Sequence, residues 1–188
     1  LGGRSVGQAV SGGGVQPTVV ANLSTSLVVE DAAKMGGARF VRAPVGEANV
    51  ARTIASEKAV IGGEGNGGVI LPMLHIGRDA PVGVALILQL MAATGQSVSG
   101  LVAGQPRYRI VKAKDPRGND LAPVYARLKA RFPDASVDLR DGLRLAWSDR
   151  WVHVRPSGTE PIVRFIAEAP TDADAQALMA VCRELFSS

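Results

Sequence analysis

Apolar residues follow two kinds of spacing along this chain, and the change comes near residue 105. In the first part, short unbroken apolar runs alternate with stretches in which apolar residues recur every three or four positions. Residues 18–23 (TVVANL) read as a buried strand. Ser24 is placed to cap a helix over 25–35, where Leu27, Val28 and Ala32 share a face, with Gly36-Gly37 as its stop. A strand at 39–42, a helix at 47–56 and a strand at 58–61 follow. After a glycine-rich loop comes a short strand at 69–71. Asp79 is placed to cap a helix over 81–93 that is apolar almost all round, a pattern that predicts burial. Strands alternating with helices predict an α/β domain with a mixed, largely parallel sheet and flanking helices.

From residue 105 the pattern differs. Residues 108–112 (YRIVK) alternate as a strand does. Asn119 is placed to cap a helix carrying Leu121, Val124, Tyr125, Leu128 and Phe132 on one face. Four strand-like segments follow at 136–139, 142–146, 151–154 and 162–167. A last helix places Ala175, Leu178, Met179, Cys182, Leu185 and Phe186 at helical spacing, and Thr171 with Asp174 forms its capping box. This order predicts a smaller α+β domain, an antiparallel sheet covered on one face by two helices. The expected domains are 17–104 and 105–188, preceded by a Gly/Ser-rich linker or disordered end over 1–16.

Composition sharpens the division. Of 22 glycines, 19 lie at or before Gly104, whereas 25 of the 38 charged residues come after it. One Cys in 188 residues excludes a disulfide framework and a Cys-based zinc site. The longest apolar run is interrupted by Gln89 and is too short to span a bilayer, so no membrane partner is expected. The first residues lack the basic start and apolar centre of a signal peptide, and a cytoplasmic protein is the expectation. The net charge of +4 is spread along the chain with no run of five basic residues, and aromatics are only 4%. Neither feature favours nucleic acid. Arg outnumbers Lys 16 to 5, which suits bidentate recognition of phosphate or carboxylate.

Two segments can carry chemistry. In Arg155-Pro156-Ser157-Gly158-Thr159-Glu160-Pro161, Arg155 brings fixed donors and Ser157 and Thr159 bring hydroxyls. Gly158 leaves backbone N–H groups open to close approach. That combination makes a nest for a phosphate dianion; the same residues also make a tight hairpin with Arg155 solvated or paired to Glu160. The second segment is Gly62-Gly63-Glu64-Gly65-Asn66-Gly67-Gly68, directly after a strand, where α/β sheets place ligands. Glu64 and Asn66 are its only functional side chains. A carboxylate beside an amide suits sugar hydroxyls and repels phosphate; the alternative is a flexible turn with Glu64 in water. Glu47 starts a helix, where its charge also complements the helix dipole. His153 reads as a strand residue and Cys182 as core. No cluster has metal-ligand spacing, and no catalytic triad is apparent.

Taken together, these segments are familiar. RPSGTEP with the following IVRF resembles the phosphate-binding loop in the C-terminal domain of the α-D-phosphohexomutases. GEGNGG at 63–68 resembles the sugar-binding loop of that family's third domain, and GRDAPVGVALILQLM the helix after it. NLSTS…VEDAAKMGGARFVRAPVGEANVA is similar to the third domain from its first strand. The resemblance implies a reversible phosphoryl transfer between C1 and C6 of a hexose phosphate, with the phosphoglucosamine mutase branch favoured. It implies Glu64 and Asn66, with Glu47, as contacts to the sugar, and Arg155, Ser157, Gly158 and Thr159 as ligands of the phosphate that stays in place. The family's phosphoserine and its Mg²⁺, held by a D-x-D-x-D loop, belong to the first two domains. The expected partners are therefore a hexose phosphate and the N-terminal half of the enzyme, with Mg²⁺ not bound by this chain and no catalytic residue on it. The chain alone is expected to be inactive, and a non-catalytic phosphosugar-binding module is the alternative. Three positions depart from the family pattern: Asn66 where Ser is common, Val69 where His often stands, and no Lys within 20–24.

Overall fold

The computed structural model describes residues 16–118 and 120–187. The expected linker, apart from Gln16, and the expected cap at Asn119 lie outside these residues. The chain divides into two compact units, Leu1–Pro106 and Arg107–Ser188.

The first unit contains a four-stranded sheet in the order β2-β1-β3-β4. Strand β1 (Thr18–Asn22) pairs in parallel with β2 (Arg39–Ala43) and with β3 (Ile61–Glu64). Strand β4 (Gly68–Ile70) closes the edge antiparallel to β3. Helix α1 (Leu27–Met35) packs on β2, and α2 (Glu47–Glu57) packs on β1 and β3 through buried Val50 and Ile54. The cap of α1 is Ser26 and not Ser24: Ser26 Oγ accepts from Val28 N, while Ser24 N is taken up by Asn22 Oδ1 in a local turn. Strand β3 starts at Ile61 and not at Lys58, because Lys58 adopts a left-handed conformation (φ 50°) as the C-cap of α2. The strand therefore runs on through Gly62 and Gly63 to Glu64, taking in half of the glycine-rich segment.

Helix α3 (Ala80–Thr94) begins at Asp79, whose carboxylate accepts from Val82 N. Its expected burial does not hold: none of its residues is buried, and Val84 and Leu88 are 59% and 58% exposed. Periodicity shows that a helix has no polar face, but not what covers it; here α3 meets β4 and the short helix α4 (Val98–Ala103), which the sequence pattern did not predict. An open aliphatic groove of about 710 Å³ lies along α1 and the sheet, walled by Val19, Ala21, Val28, Ala32, Ile61 and Val69.

The second unit is a five-stranded antiparallel sheet in the order β5-β9-β8-β7-β6. Its strands are β5 (Arg109–Pro116), β6 (Ser136–Asp138), β7 (Leu143–Ala146), β8 (Trp151–Pro156) and β9 (Ile162–Ala169). Helices α5 (Ala122–Arg131) and α6 (Asp172–Ser187) join the sheet in one core around Leu128, Leu143, Leu145, Val154, Phe165 and Cys182. Thr171 Oγ1 accepts from Asp174 N, as a helix cap does, and donates to the Asp174 carboxylate, a side-chain bond in place of the reciprocal backbone bond of a full capping box. Burial pushes the Cys182 thiol up to about 12, so it is an inert core residue. Among the described residues no helix is long and apolar enough to cross a membrane.

Two tests follow from this packing. A Cβ on Gly62 would lie 2.6 Å from Ile54 Cδ1 and 2.7 Å from the Val20 carbonyl. Gly62→Ala is expected to destabilise by roughly 1–3 kcal/mol, the usual range for overpacking. Adding Ile54→Val should restore only part of the loss in urea unfolding, because the carbonyl cannot be trimmed. His153, fully buried on β8, has its pKa pushed from 6.5 down to about 4 by burial. Between those pH values the unfolded chain binds a proton at residue 153 and the folded chain does not. Stability therefore falls as pH is lowered through that window, by about 3 kcal/mol at roughly 1.4 kcal/mol per pH unit. Urea midpoints at pH 7 and 4.5 should show most of this drop, and His153→Gln should flatten it; parallel profiles for both proteins would sink the assignment.

Candidate functional site

Parallel strands that share a sheet end together, and in the first unit their carboxyl ends gather one group of polar residues. Asn22 ends β1, Glu64 ends β3, and Gly46-Glu47 opens α2 just after β2. Glu64 Oε1 accepts from Asn22 Nδ2 at 2.9 Å and from Gly46 N at 3.2 Å, and its side chain is only 6% exposed. The turn reading, with Glu64 in water, is thereby excluded. Asn22 is itself held: its Oδ1 accepts from Ser24 N and Thr25 Oγ1. Arg42 donates to the Asn22 and Thr25 carbonyls and braces the turn from the neighbouring strand.

A further cation, Arg78, closes the group. Its Nε donates to Glu47 Oε2 at 2.8 Å, its backbone N–H donates to Glu47 Oε1 at 3.0 Å, and its Nη1 lies 3.8 Å from Glu64 Oε2. The Arg78 backbone and side-chain donors hold the Glu47 carboxyl below the usual carboxylate range. The Arg78 stem passes directly over Gly68, where a Cβ would come within 2.3 Å of Arg78 Cδ, so the last glycine of the motif makes room for it. Asn66 is exposed at the tip of the β3–β4 hairpin, where its Oδ1 accepts from Gly68 N. The structure thus brings Glu64 and Glu47 together through Arg78 and leaves Asn66 at the hairpin tip. Sequence reasoning missed Asn22, and it placed Arg78 only within a segment, 75–79, able to border this site. Their signal was positional: an Asn ending the first strand, and an Arg beside the Asp79 cap.

In the second unit, Arg155 and Pro156 still belong to β8, and the loop proper is Ser157 to Pro161. Ser157 is buried; its N–H donates to the Ile162 carbonyl, and its Oγ accepts weakly from Thr159 N at 3.4 Å. Gly158 and Thr159 are exposed, and a Cβ on Gly158 would meet nothing within 4 Å. Glycine there leaves the backbone uncovered, and no steric conflict requires it. The alternative pairing of Arg155 with Glu160 does not occur: Glu160 accepts from Arg164, and Arg155 Nε lies 3.0 Å from Asp141 Oδ2. A cleft of about 400 Å³ at the end of β8 is lined by Arg117, Asp120, Tyr125, Leu139, Gly142 and Pro156. The arrangement sets a guanidinium at the end of β8 beside a hydroxyl and open backbone in the following loop, which is anion-binding chemistry. Among the described residues no three His, Cys, Asp or Glu side chains cluster closely enough to hold a metal ion. These residues can bind and orient.

Comparison with known proteins agrees with both units. Residues 6–108 match the family model "Phosphoglucomutase/phosphomannomutase, alpha/beta/alpha domain III", and residues 110–185 match "Phosphoglucomutase/phosphomannomutase, C-terminal domain". A phosphoglucomutase/phosphomannomutase of Thermococcus kodakarensis is 37% identical over 88% of this chain and 36% of its own length. A probable phosphoglucosamine mutase of Methanopyrus kandleri is 36% identical over 85% of this chain and 36% of its own. The crystal structure of a phosphoglucomutase/phosphomannomutase family protein from Burkholderia thailandensis shares the fold, with a TM-score of 0.73 at 21% identity over 90% of this chain and 37% of that one. The chain therefore spans about 36% of the length of the relatives it matches, and it belongs to the phosphoglucomutase/phosphomannomutase family as that family's third and C-terminal domains.

Proposed function

We propose that this chain is the substrate-holding part of a phosphohexomutase, most like a phosphoglucosamine mutase. The 157–161 loop, with Arg155 at its entrance, takes the phosphate that is not transferred, through Arg155, Ser157, Gly158 and Thr159. Glu64, Asn66 and Glu47 take the sugar hydroxyls. The observation that carries this reading is that the anion loop and the carboxylate group each lie within a matched domain of one family. In phosphoryl transfer the protein contributes mainly position and charge stabilisation, and position is what these residues can give. The D-x-D-x-D loop does not occur in the sequence. When bound elsewhere in a full-length enzyme, Mg²⁺ would neutralise charge developing on the phosphate in transit. Relatives named phosphoglucosamine mutase support an amino sugar, and relatives named phosphoglucomutase/phosphomannomutase support an unsubstituted hexose.

Calorimetric titration with the 6-phosphates of glucosamine, glucose and mannose tests the reading and ranks the sugars. Arg155→Ala should weaken binding roughly 10- to 100-fold, the loss expected for charge-assisted hydrogen bonds. Asn66→Ala should weaken hexose phosphates while leaving inorganic phosphate unchanged. In a coupled mutase assay the chain alone should show no turnover; turnover would overturn the assignment of the chemistry to other domains.

A further inference from the structure

We propose that Asp141 is a positioning residue of the phosphate loop, acting through Arg155 and held in place by buried His153. This rests on the reading of Arg155 as a phosphate ligand. Asp141 lies in the connection between β6 and β7, followed by Gly142 at φ 78°. A Cβ on Gly142 would lie 2.5 Å from the Val154 carbonyl and 2.8 Å from Arg155 Cα, so only glycine lets this turn press against β8 where Arg155 emerges. His153 Nε2 lies 2.6 Å from the Asp141 carbonyl. A carbonyl only accepts, so Nε2 carries the hydrogen and donates it. The other end of the residue faces the ligand loop. Asp141 Oδ2 is 3.0 Å from Arg155 Nε, the two side chains are 17% and 19% exposed, and the alignment falls short of a hydrogen bond. Charge and proximity hold the pair. The carboxylate therefore lies nearest Nε, and in the proposed role the fork of the two terminal amino groups takes the anion.

A carboxylate beside a phosphate ligand has two opposed effects. It lowers the positive charge that a dianion meets, and it removes torsional freedom that the arginine would otherwise lose on binding. The two effects predict opposite signs for its removal. With the pair mostly out of water and its backbone anchored by His153, orientation is the larger effect.

The test uses the full chain with inorganic phosphate and glucose 6-phosphate as probes. Asp141→Ala should raise Kd for both about tenfold, and Asp141→Asn, which keeps the shape should the alanine variant not fold, should raise it less. Added to Arg155→Ala, Asp141→Ala should cost nothing more, because its effect passes through Arg155. The Arg155 Nε–H resonance, sharp in the parent, should broaden in both Asp141 variants; a purely structural residue would not single it out. If Arg155→Ala weakens binding but the Asp141 variants bind as well as the parent or tighter, the positioning role is overturned and the phosphate reading stands. If the parent binds neither probe, or Arg155→Ala binds as the parent does, both fall.

Discussion

A charge drawn out of water at the end of a strand must meet an opposite charge or a set of donors, and the surroundings of Glu64 and Arg155 follow from that requirement. Glu64 is almost fully covered, and Asn22 at the end of β1 converges on it with Gly46 and Arg78 from two separate connections. Arg155 is four-fifths covered, and Asp141 meets it from a turn that lies fourteen residues earlier. In each case the partner that makes burial tolerable also sets the direction of the functional group. Binding groups ordered before a ligand arrives lose less entropy when it does.

The same requirement explains where glycine is needed. Gly68 gives the Arg78 stem room to reach Glu47, and Gly142 lets the Asp141 turn approach β8. Gly158, the glycine that looked most like a ligand-binding position, meets no steric demand of this kind. Its neighbours Arg155 and Ser157 are the held members of the loop, whereas Gly158 and Thr159 are open. The loop thus combines a fixed, charged entrance with an accessible backbone tip.

The helices show how far local pattern reaches. Asp79, Thr171 and the Gly36-Gly37 stop act through groups within four residues of themselves, and all three were legible in the chain order. Ser24 was misread as a cap because Ser24 and Ser26 offer the same chemistry two residues apart, and the helix begins at Leu27, where Ser26 Oγ is the one that reaches Val28 N. Lys58 was misread as strand because nothing local distinguishes a left-handed helix cap from the start of an extended run. Helix α3 was misread as buried because an apolar surface calls for cover without specifying its source.

By itself the sequence determined the order of elements apart from α4, the change from α/β to α+β, and which two segments hold the residue types able to carry chemistry. Each is encoded by residues close together in the chain, through periodicity, caps and short motifs. Only the tertiary structure decided that Glu64 is enclosed, that Arg78 ties it to Glu47, that Arg155 pairs with Asp141 and not Glu160, and that His153 is neutral and buried. Those outcomes depend on which distant groups arrive within a few ångströms once strands pair, and a linear pattern holds no record of such distances.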